Sequence, residues 1–211
     1  RKNINQIAGT YPIEDITEQY VLQVGERTID TALPRFDARG KRHAHPAYKG
    51  VKTPAPGRHH NLVQFIGPIK EQWLRAVKKV GGEARAPYGD FTYIIRADEE
   101  TLAQIAALPF VRWTGHLPTK DRVAPSVFMN VGRKPDDTAS ALPRTRVMPG
   151  AYTVEFFGAA DLKAAIPHIK KLGFQMPEKN ARGKVLIVEA SSHGAALTKK
   201  ITALAAVHGV R

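Results

Sequence analysis

The sequence contains no cysteine, and this absence excludes several kinds of site at once. Disulfide bonds, zinc–thiolate centres and thiol nucleophiles all need cysteine sulfur. The chain also has no apolar run of about 20 residues, the length that a membrane-spanning helix requires. The sequence therefore predicts neither a disulfide framework nor a membrane partner, and its lack of cysteine suits both a reducing compartment and secretion.

The sequence also lacks the arrangement that a serine hydrolase needs. None of its serines stands in a Gly-x-Ser-x-Gly setting. Ser191 and Ser192 precede a helical segment, where a capping role explains them better than catalysis. Glu99 and Glu100 are adjacent carboxylates, but they fall at a predicted helix start, where the helix dipole favours negative charge. We expect no catalysis by this chain.

Histidines at short spacing, His43, His45, His59 and His60, are the best candidate metal ligands. Imidazole pairs on a flexible segment can capture divalent ions, but acidic and thiol co-ligands are missing nearby. The glycine-containing stretches VGRKP and YGD are too short to cradle a phosphate. We therefore expect neither a metal site nor a cofactor.

Positive charge is abundant, since 32 lysines and arginines against 19 aspartates and glutamates give a formal net charge of +13. Such an excess raises nucleic acid, an anionic membrane or an acidic protein as partners. The excess is spread along the whole chain rather than gathered in one stretch. A diffuse field of this kind speeds the encounter with an acidic protein without fixing the contact.

Changes in amino-acid composition and hydrophobic periodicity divide the chain into four segments. Residues 1–58 are predicted to form an extended N-terminal arm, in which only EQYVLQVGERTID alternates like a strand. Residues 59–118 follow the order strand, helix, strand, strand, helix, strand, which is the plan of a ferredoxin-like domain. A Pro/Arg-rich linker at 119–150 precedes a second copy at 151–211. The predicted fold is α+β, with two tandem ferredoxin-like (βαββαβ) domains built on antiparallel sheets.

An internal repeat supports the second copy. YTVEFFG matches NLVQFIG, VLIVEA matches TYIIRA, and both copies carry the same Val-Arg step, at Arg112 and Arg211. Pro167 lies inside the first helix of the second copy and is predicted to kink that helix or to split it in two. The last strand of the second copy should run a few residues past Arg211, so we expect this copy to be truncated and the native polypeptide to continue.

Aromatic residues in YGDFTYIIR suggest an alternative function. Tyr88, Phe91 and Tyr93 fall on a faint RNA-recognition pattern, in which rings on an open sheet stack against bases. The pattern lacks its basic residue, and the matching strand of the second copy has no aromatic side chain. A core-packing role or a protein-facing sheet is favoured, because half of the side chains of a strand face inward. A nucleic-acid-binding protein with tandem RRM-like domains stays open as an alternative, as does an extracellular protein-interaction module.

A set of motifs in residues 59–125 resembles the N-terminal propeptide region of bacterial subtilisin-like serine proteases. The motifs are, in order, an LVQF strand followed by Gly-Pro, a Trp-bearing helix that ends in Gly-Gly, the YIIR strand, and VRWTG with a lysine-containing tail. LQVGERTID resembles the lead-in segment of such precursors. The Asp, His and Ser blocks of the protease domain do not occur in this chain. The resemblance therefore implies a pro-region, and not an active protease.

The resemblance also implies a role and a set of contact residues. Propeptides of this family have a ferredoxin-like fold and act as folding chaperone and inhibitor of their cognate catalytic domain. They pack their sheet face on the enzyme and direct their C-terminal segment to the substrate cleft. The resemblance further implies a secreted or extracellular bacterial protein whose signal segment has been removed. Carried onto this chain, the partner-binding residues are Tyr88, Phe91, Tyr93, Trp113, Val207, His208, Val210 and Arg211.

Overall fold

Helices and antiparallel strands make up the described part of the chain, which confirms the predicted α+β class. The computed structural model describes residues 20–32, 54–130, 150–176 and 183–211. The chain divides into two units, Arg1–Pro118 and Thr119–Arg211. This division falls at the predicted end of the first copy.

Residues 20–32, which belong to the predicted N-terminal arm, contain a β-hairpin. Strand β1 (Val21–Val24) pairs antiparallel with β2 (Arg27–Asp30) around a two-residue turn that begins at Gly25, whose φ is +60°. Leu22, Val24 and Ile29 are all buried. This part of the arm is therefore folded into the first unit rather than extended, and the burial of these three apolar side chains stabilises it there.

The first unit also contains a four-stranded antiparallel sheet. Along the chain its elements are β3 (His59–Phe65), α1 (Glu71–Lys79), β4 (Glu83–Gly89), β5 (Thr92–Ala97), α2 (Glu99–Ala106) and β6 (Val111–His116). The strands lie in the order β4-β5-β3-β6, and each neighbouring pair is antiparallel. The order of elements predicted for residues 59–118 is confirmed.

The side of this sheet that faces α1 and α2 holds the core of the first unit. Its buried residues are Val63, Phe65, Val77, Ile95, Ala97 and Ile105. The ring of Trp73 stacks on those of Phe110 and Phe65, with centroid distances of 5.3 and 5.7 Å. Asp98 caps α2 by accepting a hydrogen bond from the backbone N–H of Thr101 at 2.9 Å. Apolar side chains of both helices, including Val77 and Ile105, therefore pack against this side of the sheet.

The second unit is built on a two-stranded antiparallel sheet. Its elements are a 3₁₀ helix (Thr119–Arg122), α3 (Pro125–Asn130), β7 (Ala151–Glu155), α4 (Ala159–Lys171), β8 (Val185–Glu189) and α5 (Gly194–Ala205). β7 pairs antiparallel with β8. Single antiparallel bridges add Gln175 beside Glu189 of β8 and Val210 beside Phe156, the residue that follows β7. The described pairing order, from Gln175 through β8 and β7 to Val210, is the same as in the first unit.

The core of the second unit lies between its sheet and its helices. Buried side chains from β7, α4, β8 and α5 contribute, including Val154, Ile169, Val188 and Leu197. Val123, Val127 and Phe128 also pack against this core. The start of the predicted 119–150 linker is therefore helical and belongs to the second unit, while residues 131–149 lie outside the described residues.

Helix α4 continues through Pro167, so the predicted split into two short turns does not occur. Pro167 is exposed, whereas Ala165 and Ile169 on either side of it are buried. The proline ring therefore lies on the solvent side, and the buried neighbours hold the helix together across the missing hydrogen bond.

Candidate partner-binding surfaces

The hairpin covers the face of the first sheet that points away from the helices. On β3, Val63 and Phe65 belong to the helix-side core, so Leu62 and Gln64 point to the opposite face. Both are buried, and the side-chain oxygen of Gln64 accepts a 2.6 Å hydrogen bond from the hydroxyl of Thr31, just after β2. The sheet of the first unit is therefore covered on both faces.

Two further contacts hold the hairpin in place. The hydroxyl of Tyr88 on β4 donates a 3.0 Å hydrogen bond to the backbone carbonyl of Gln23 on β1. The guanidinium of Arg112 lies 3.1 Å from the ring centroid of Tyr20. Partial burial lowers the pKa of Arg112 below its ordinary value, although the charges of Tyr20 and Asp30 act to raise it. These contacts explain why the predicted open face of the first copy is not available.

The structure places the four predicted contact residues of the first unit in separate environments. Tyr88 binds the hairpin, and Tyr93 packs against the helix-side core. Phe91 occupies the β4–β5 turn with a φ of +51°, and its carbonyl accepts a hydrogen bond from the N–H of Phe65. Trp113 is only 3% exposed. These rings do not form a stacking platform on an open sheet, which was the basis of the RNA-recognition pattern.

A β-bulge decides where Trp113 points. The register pairs Phe65 with Val111 but Gln64 with Trp113, so Arg112 is an extra residue in β6. Because residues paired in register share a face, Trp113 lies with Gln64 on the hairpin side, and Val111 lies with Phe65 on the helix side. Simple alternation would have placed Val111 and Trp113 on the same face.

An ionic cluster lies at the start of β4, an edge strand of this sheet. Glu83 on β4 stands opposite Arg96 on β5 and forms an ion pair with it at 3.3 Å, and Glu83 also binds the side chain of Arg85. Burial alone would raise the pKa of Glu83. The charges and hydrogen bonds of Arg85 and Arg96 outweigh that effect and hold the pKa below its ordinary value of 4.5.

We expect Glu83→Gln to make the first unit less sensitive to acid. With its pKa lowered in the folded state, the Glu83 carboxylate contributes stability above pH 4.5 and loses that contribution as the pH falls through the folded value. The stability advantage of the natural chain over the variant should therefore shrink below pH 4.5. Urea unfolding followed by tryptophan fluorescence at pH 7 and at acid pH measures it. Glu71→Gln is the control, because the Glu71–Arg75 pair is exposed and should contribute little at either pH. An advantage that does not change with pH would contradict the expectation.

The outer face of the second sheet is uncovered within the described residues. Register places Thr153 opposite Ile187 and Glu155 opposite Val185 on this face. Thr153 and Glu155 are exposed, and Val185 and Ile187 are half-buried. Thr153 stands where the first unit has the buried Leu62. The second unit thus presents a mixed polar and apolar sheet surface where the first unit is closed.

The four predicted contact residues of the second unit lie together after α5. Val210 is buried beside Phe156, and Val207 packs on the core. His208 is exposed, with its Nδ1 atom 3.9 Å from the Asp161 carboxylate. Arg211 donates its backbone N–H to the carbonyl of Glu155 at 2.8 Å and is exposed. Of these four side chains, those of His208 and Arg211 are most accessible to a partner.

Sequence reasoning missed Arg122, which fixes this end of the second unit. Its guanidinium donates hydrogen bonds to the carbonyls of Val210 and of Ala205, the second at 2.7 Å. Burial lowers the pKa of Arg122 to about 10, so it is still charged at neutral pH. Beside it lies a pocket of about 260 Å³ whose wall also includes Val127, Val154 and Leu204. A basic residue in a Pro/Arg-rich stretch gives no sign of such a role.

The histidines considered as metal ligands fall only partly within the described residues. No cluster of three or more histidine or acidic side chains in these ranges could hold a metal ion. His59 and His60 lie on β3, and the His59 ring meets His116 edge-on at 5.8 Å. His43 and His45 lie outside the described residues. None of the helices in the same ranges combines the length and apolar character needed to cross a membrane.

Comparison with protein families gives a match in the first unit. A family described as Domain of unknown function (DUF8729) matches residues 23–118. No curated protein and no solved structure matches the chain. The matched range begins within the hairpin and ends where the first unit ends, in agreement with the hairpin being part of that unit.

Proposed function

We propose that this chain is a non-catalytic protein-binding module that uses the outer face of its second sheet. We further propose that it serves as the pro-region of a secreted bacterial subtilisin-like serine protease, as folding chaperone and inhibitor of the cognate catalytic domain. The resemblance of residues 59–125 to such propeptides supports the biological role.

The observation that carries the proposal is the difference between the two sheets. The first is covered on both faces, whereas the described part of the second is covered by helices on one face and presents Thr153, Glu155 and Ile187 on the other. Protein interfaces outside obligate dimers are about as polar as the rest of the surface, so this mixture suits a separable complex. A partner domain packed here would bury the uncovered face of the sheet.

The strand arrangement supports the finer proposal of two ferredoxin-like copies. In both units the pairing order is second, third, first and fourth strand, counted along each copy. In the second unit the second and fourth strands are reduced to single bridges at Gln175 and Val210. We propose that the two copies arose from one βαββαβ domain and that only the first retained long outer strands.

The position of Arg211 suits the inhibitory part of the proposal. Arg211 is exposed and continues the line of the Phe156–Val210 bridge along the edge of β7. A segment directed to a substrate cleft would leave from this edge, next to the outer face. Binding of the folded enzyme, but not of its unfolded chain, would stabilise the enzyme by mass action, which is the thermodynamic part of a chaperone role.

Enzyme inhibition tests the proposal. The purified chain should slow the hydrolysis of a chromogenic peptide by one or more bacterial subtilisin-like proteases, and should leave trypsin, a serine protease of unrelated fold, unaffected. Ile187→Arg should raise the inhibition constant about tenfold or more, because it places a charge in the centre of the contact. Ala164→Arg is the matched control, since Ala164 is exposed on α4, on the helix side of the sheet.

Three results would overturn parts of this proposal. If no subtilisin-like protease is inhibited and none co-elutes with the chain, the pro-region role is wrong. If inhibition occurs but Ile187→Arg and Ala164→Arg are equally effective, the outer face is not the contact. Inhibition that disappears with moderate salt would indicate contact through charge alone, since only exposed charge pairs are screened so strongly.

A further inference from the structure

We propose that the lysines of α4 and α5 bind the phosphate backbone of double-stranded DNA, without regard to its base sequence. This lysine surface consists of the exposed residues of the two helices, on the side of the second sheet opposite to the outer face. The two surfaces are separate, so this inference does not rest on the proposed function.

The two helices of the second unit carry a surplus of positive charge. Together α4 and α5 contain five lysines and one acidic residue, Asp161. The lysines are Lys163, Lys170, Lys171, Lys199 and Lys200. Lys200 is half-buried, and the other four are exposed. Of the other described carboxylates in this unit, Glu155 and Glu189 lie on the outer face, and Asp121 lies in the 3₁₀ helix. The lysine surface therefore has few anions of its own.

The helices that pack on the first sheet are electrically balanced. They carry three basic residues, Arg75, Lys78 and Lys79, and three acidic residues, Glu71, Glu99 and Glu100. The positive charge of the chain is spread evenly along the sequence, but the fold gathers an unbalanced part of it on one face of the second unit. Such a patch attracts a polyanion more strongly than the same charge scattered over the surface.

Lysines from both helices meet at the end of α4. The Nζ atom of Lys200 lies 3.2 Å from the point that a Cβ atom of Gly173 would occupy. The N–H of Gly173 donates a 2.9 Å hydrogen bond to the carbonyl of Lys170 in the last turn of α4. A helix C-terminus favours positive charge, but its dipole amounts to only about half an elementary charge. Lys170, Lys171 and Lys200 exceed that need, so charge is left for an external anion.

The side chains between the lysines favour a DNA duplex over a bilayer or a single strand. Neither α4 nor α5 contains phenylalanine, tyrosine or tryptophan, and their exposed residues other than lysine are alanine, proline, histidine and threonine. A helix that lies in a membrane interface needs large apolar side chains. Single-stranded nucleic acid is bound by aromatic rings that stack on its bases. The backbone of a duplex needs only positive charge on a surface that it can approach closely.

The spacing and the type of the basic residues also suit a duplex. Double-stranded DNA carries one negative charge per about 1.7 Å of its axis, a high density for a polyanion. Lys163 and Lys171 span about 12 Å along α4, so several phosphates lie within reach of the lysine surface. Lysine is a point charge on a flexible stem, and neither helix contains arginine, the residue that most often reads guanine edges. We therefore expect binding that does not depend on base sequence.

Fluorescence anisotropy with a fluorescein-labelled DNA duplex of about 20 base pairs tests the proposal. The full chain should bind with a Kd of about 10⁻⁴–10⁻⁶ M at physiological salt. Binding should weaken about 100-fold from about 50 to about 200 mM salt, because contacts with about four phosphates release about as many counterions. A duplex of the same length and a different base sequence should bind equally.

A variant without three exposed lysines provides the second readout. Lys170→Gln, Lys171→Gln and Lys199→Gln are combined, since glutamine retains helix propensity. The slope of log Kd against log salt should fall by about 3, and binding at about 100 mM salt should weaken about tenfold or more. Circular dichroism checks that the variant is folded. If it is not, Lys171→Gln alone, with an expected slope change of about 1, decides the question.

The matched control removes the same charge from the first unit. Arg75→Gln, Lys78→Gln and Lys79→Gln are combined, because all three residues are exposed on α1. This variant should bind the duplex within about twofold of the natural chain. An equal loss in the two variants would overturn the proposal, because binding would then follow net charge rather than one face.

Three further results would overturn the proposal. A single strand of the same sequence that binds more tightly than the duplex would indicate base stacking. Binding to vesicles of phosphatidylcholine and phosphatidylserine, but not to the duplex, would indicate a membrane partner. Polyglutamate that displaces the duplex at an equal concentration of charge would indicate an acidic protein.

Discussion

Replacing Ile29 by aspartate should detach the hairpin and destabilise the first unit by about 4 kcal/mol or more. Ile29 on β2 is fully buried. Truncation of a buried isoleucine alone costs about 2–5 kcal/mol. Aspartate adds an ionised group to an apolar site, and no cation lies opposite it in the register, where β1 offers Leu22. A loss of this size is a large fraction of the total stability of a small domain.

The two tryptophans make this effect measurable in one unit. Trp73 and Trp113 are the only tryptophans of the chain, and both lie in the first unit. Urea unfolding followed by their fluorescence should shift to lower denaturant for Ile29→Asp. Iodide should also quench Trp113 more strongly, because this side chain lies on the hairpin face. Val21→Asp is the control, since Val21 is 42% exposed on the same hairpin. Equal stability of the two variants would show that the hairpin is not part of the folded unit.

Replacing Gly209 by alanine should destabilise the second unit by about 2–4 kcal/mol. Gly209 has a φ of +87°, a conformation in which an L-residue costs about 1–2 kcal/mol. A Cβ atom at this position would also lie 2.4 Å from the Cβ of Asp161 on α4. This collision involves a side-chain stem next to a helix backbone, so one of the two segments has to move.

A second glycine separates the two causes. Gly194 at the start of α5 has a φ of +57°, but nothing lies within 4 Å of its virtual Cβ. Gly194→Ala should therefore cost only the backbone term, about 1–2 kcal/mol. Thermal unfolding followed by far-ultraviolet circular dichroism should show the larger shift for Gly209→Ala, while the tryptophan transition of the first unit stays unchanged. Equal shifts for the two variants would mean that the Asp161 contact is relieved at no cost.

The sequence patterns predicted most of the secondary structure because local periodicity determines it. The segments NLVQFIG, FTYIIRA and FVRWTG predicted β3, β5 and β6, and the apolar spacing of Trp73, Val77 and Val80 predicted α1. Pro167 shows the limit of a local rule, because packing of its buried neighbours keeps α4 continuous. Propensity is a weak prior where tertiary contacts act against it.

The candidate surfaces were harder to predict because they depend on contacts between distant residues. Gln64 is polar, and a polar residue in a strand usually indicates a solvent-facing side, yet it is buried against Thr31. The bulge at Arg112 turns Trp113 to the hairpin face without any local signal. Arg122 meets its two carbonyl acceptors at sequence separations of 83 and 88 residues. The turn at Gly25, inside the alternating stretch EQYVLQVGERTID, was a local signal that could have identified the hairpin.

The long separation between Arg122 and its acceptors sets an order of events during synthesis. The first unit has all its strands once His116 has left the ribosome, and nascent domains fold in the order in which they emerge. The second unit cannot complete its framework at that stage, because Ala205 and Val210 follow Arg122 by 83 and 88 residues. Residues 119–130 are therefore synthesised before the core against which Val123, Val127 and Phe128 pack is complete. The hydrogen bonds of Arg122 to the end of the second unit can therefore form only after translation has passed Val210.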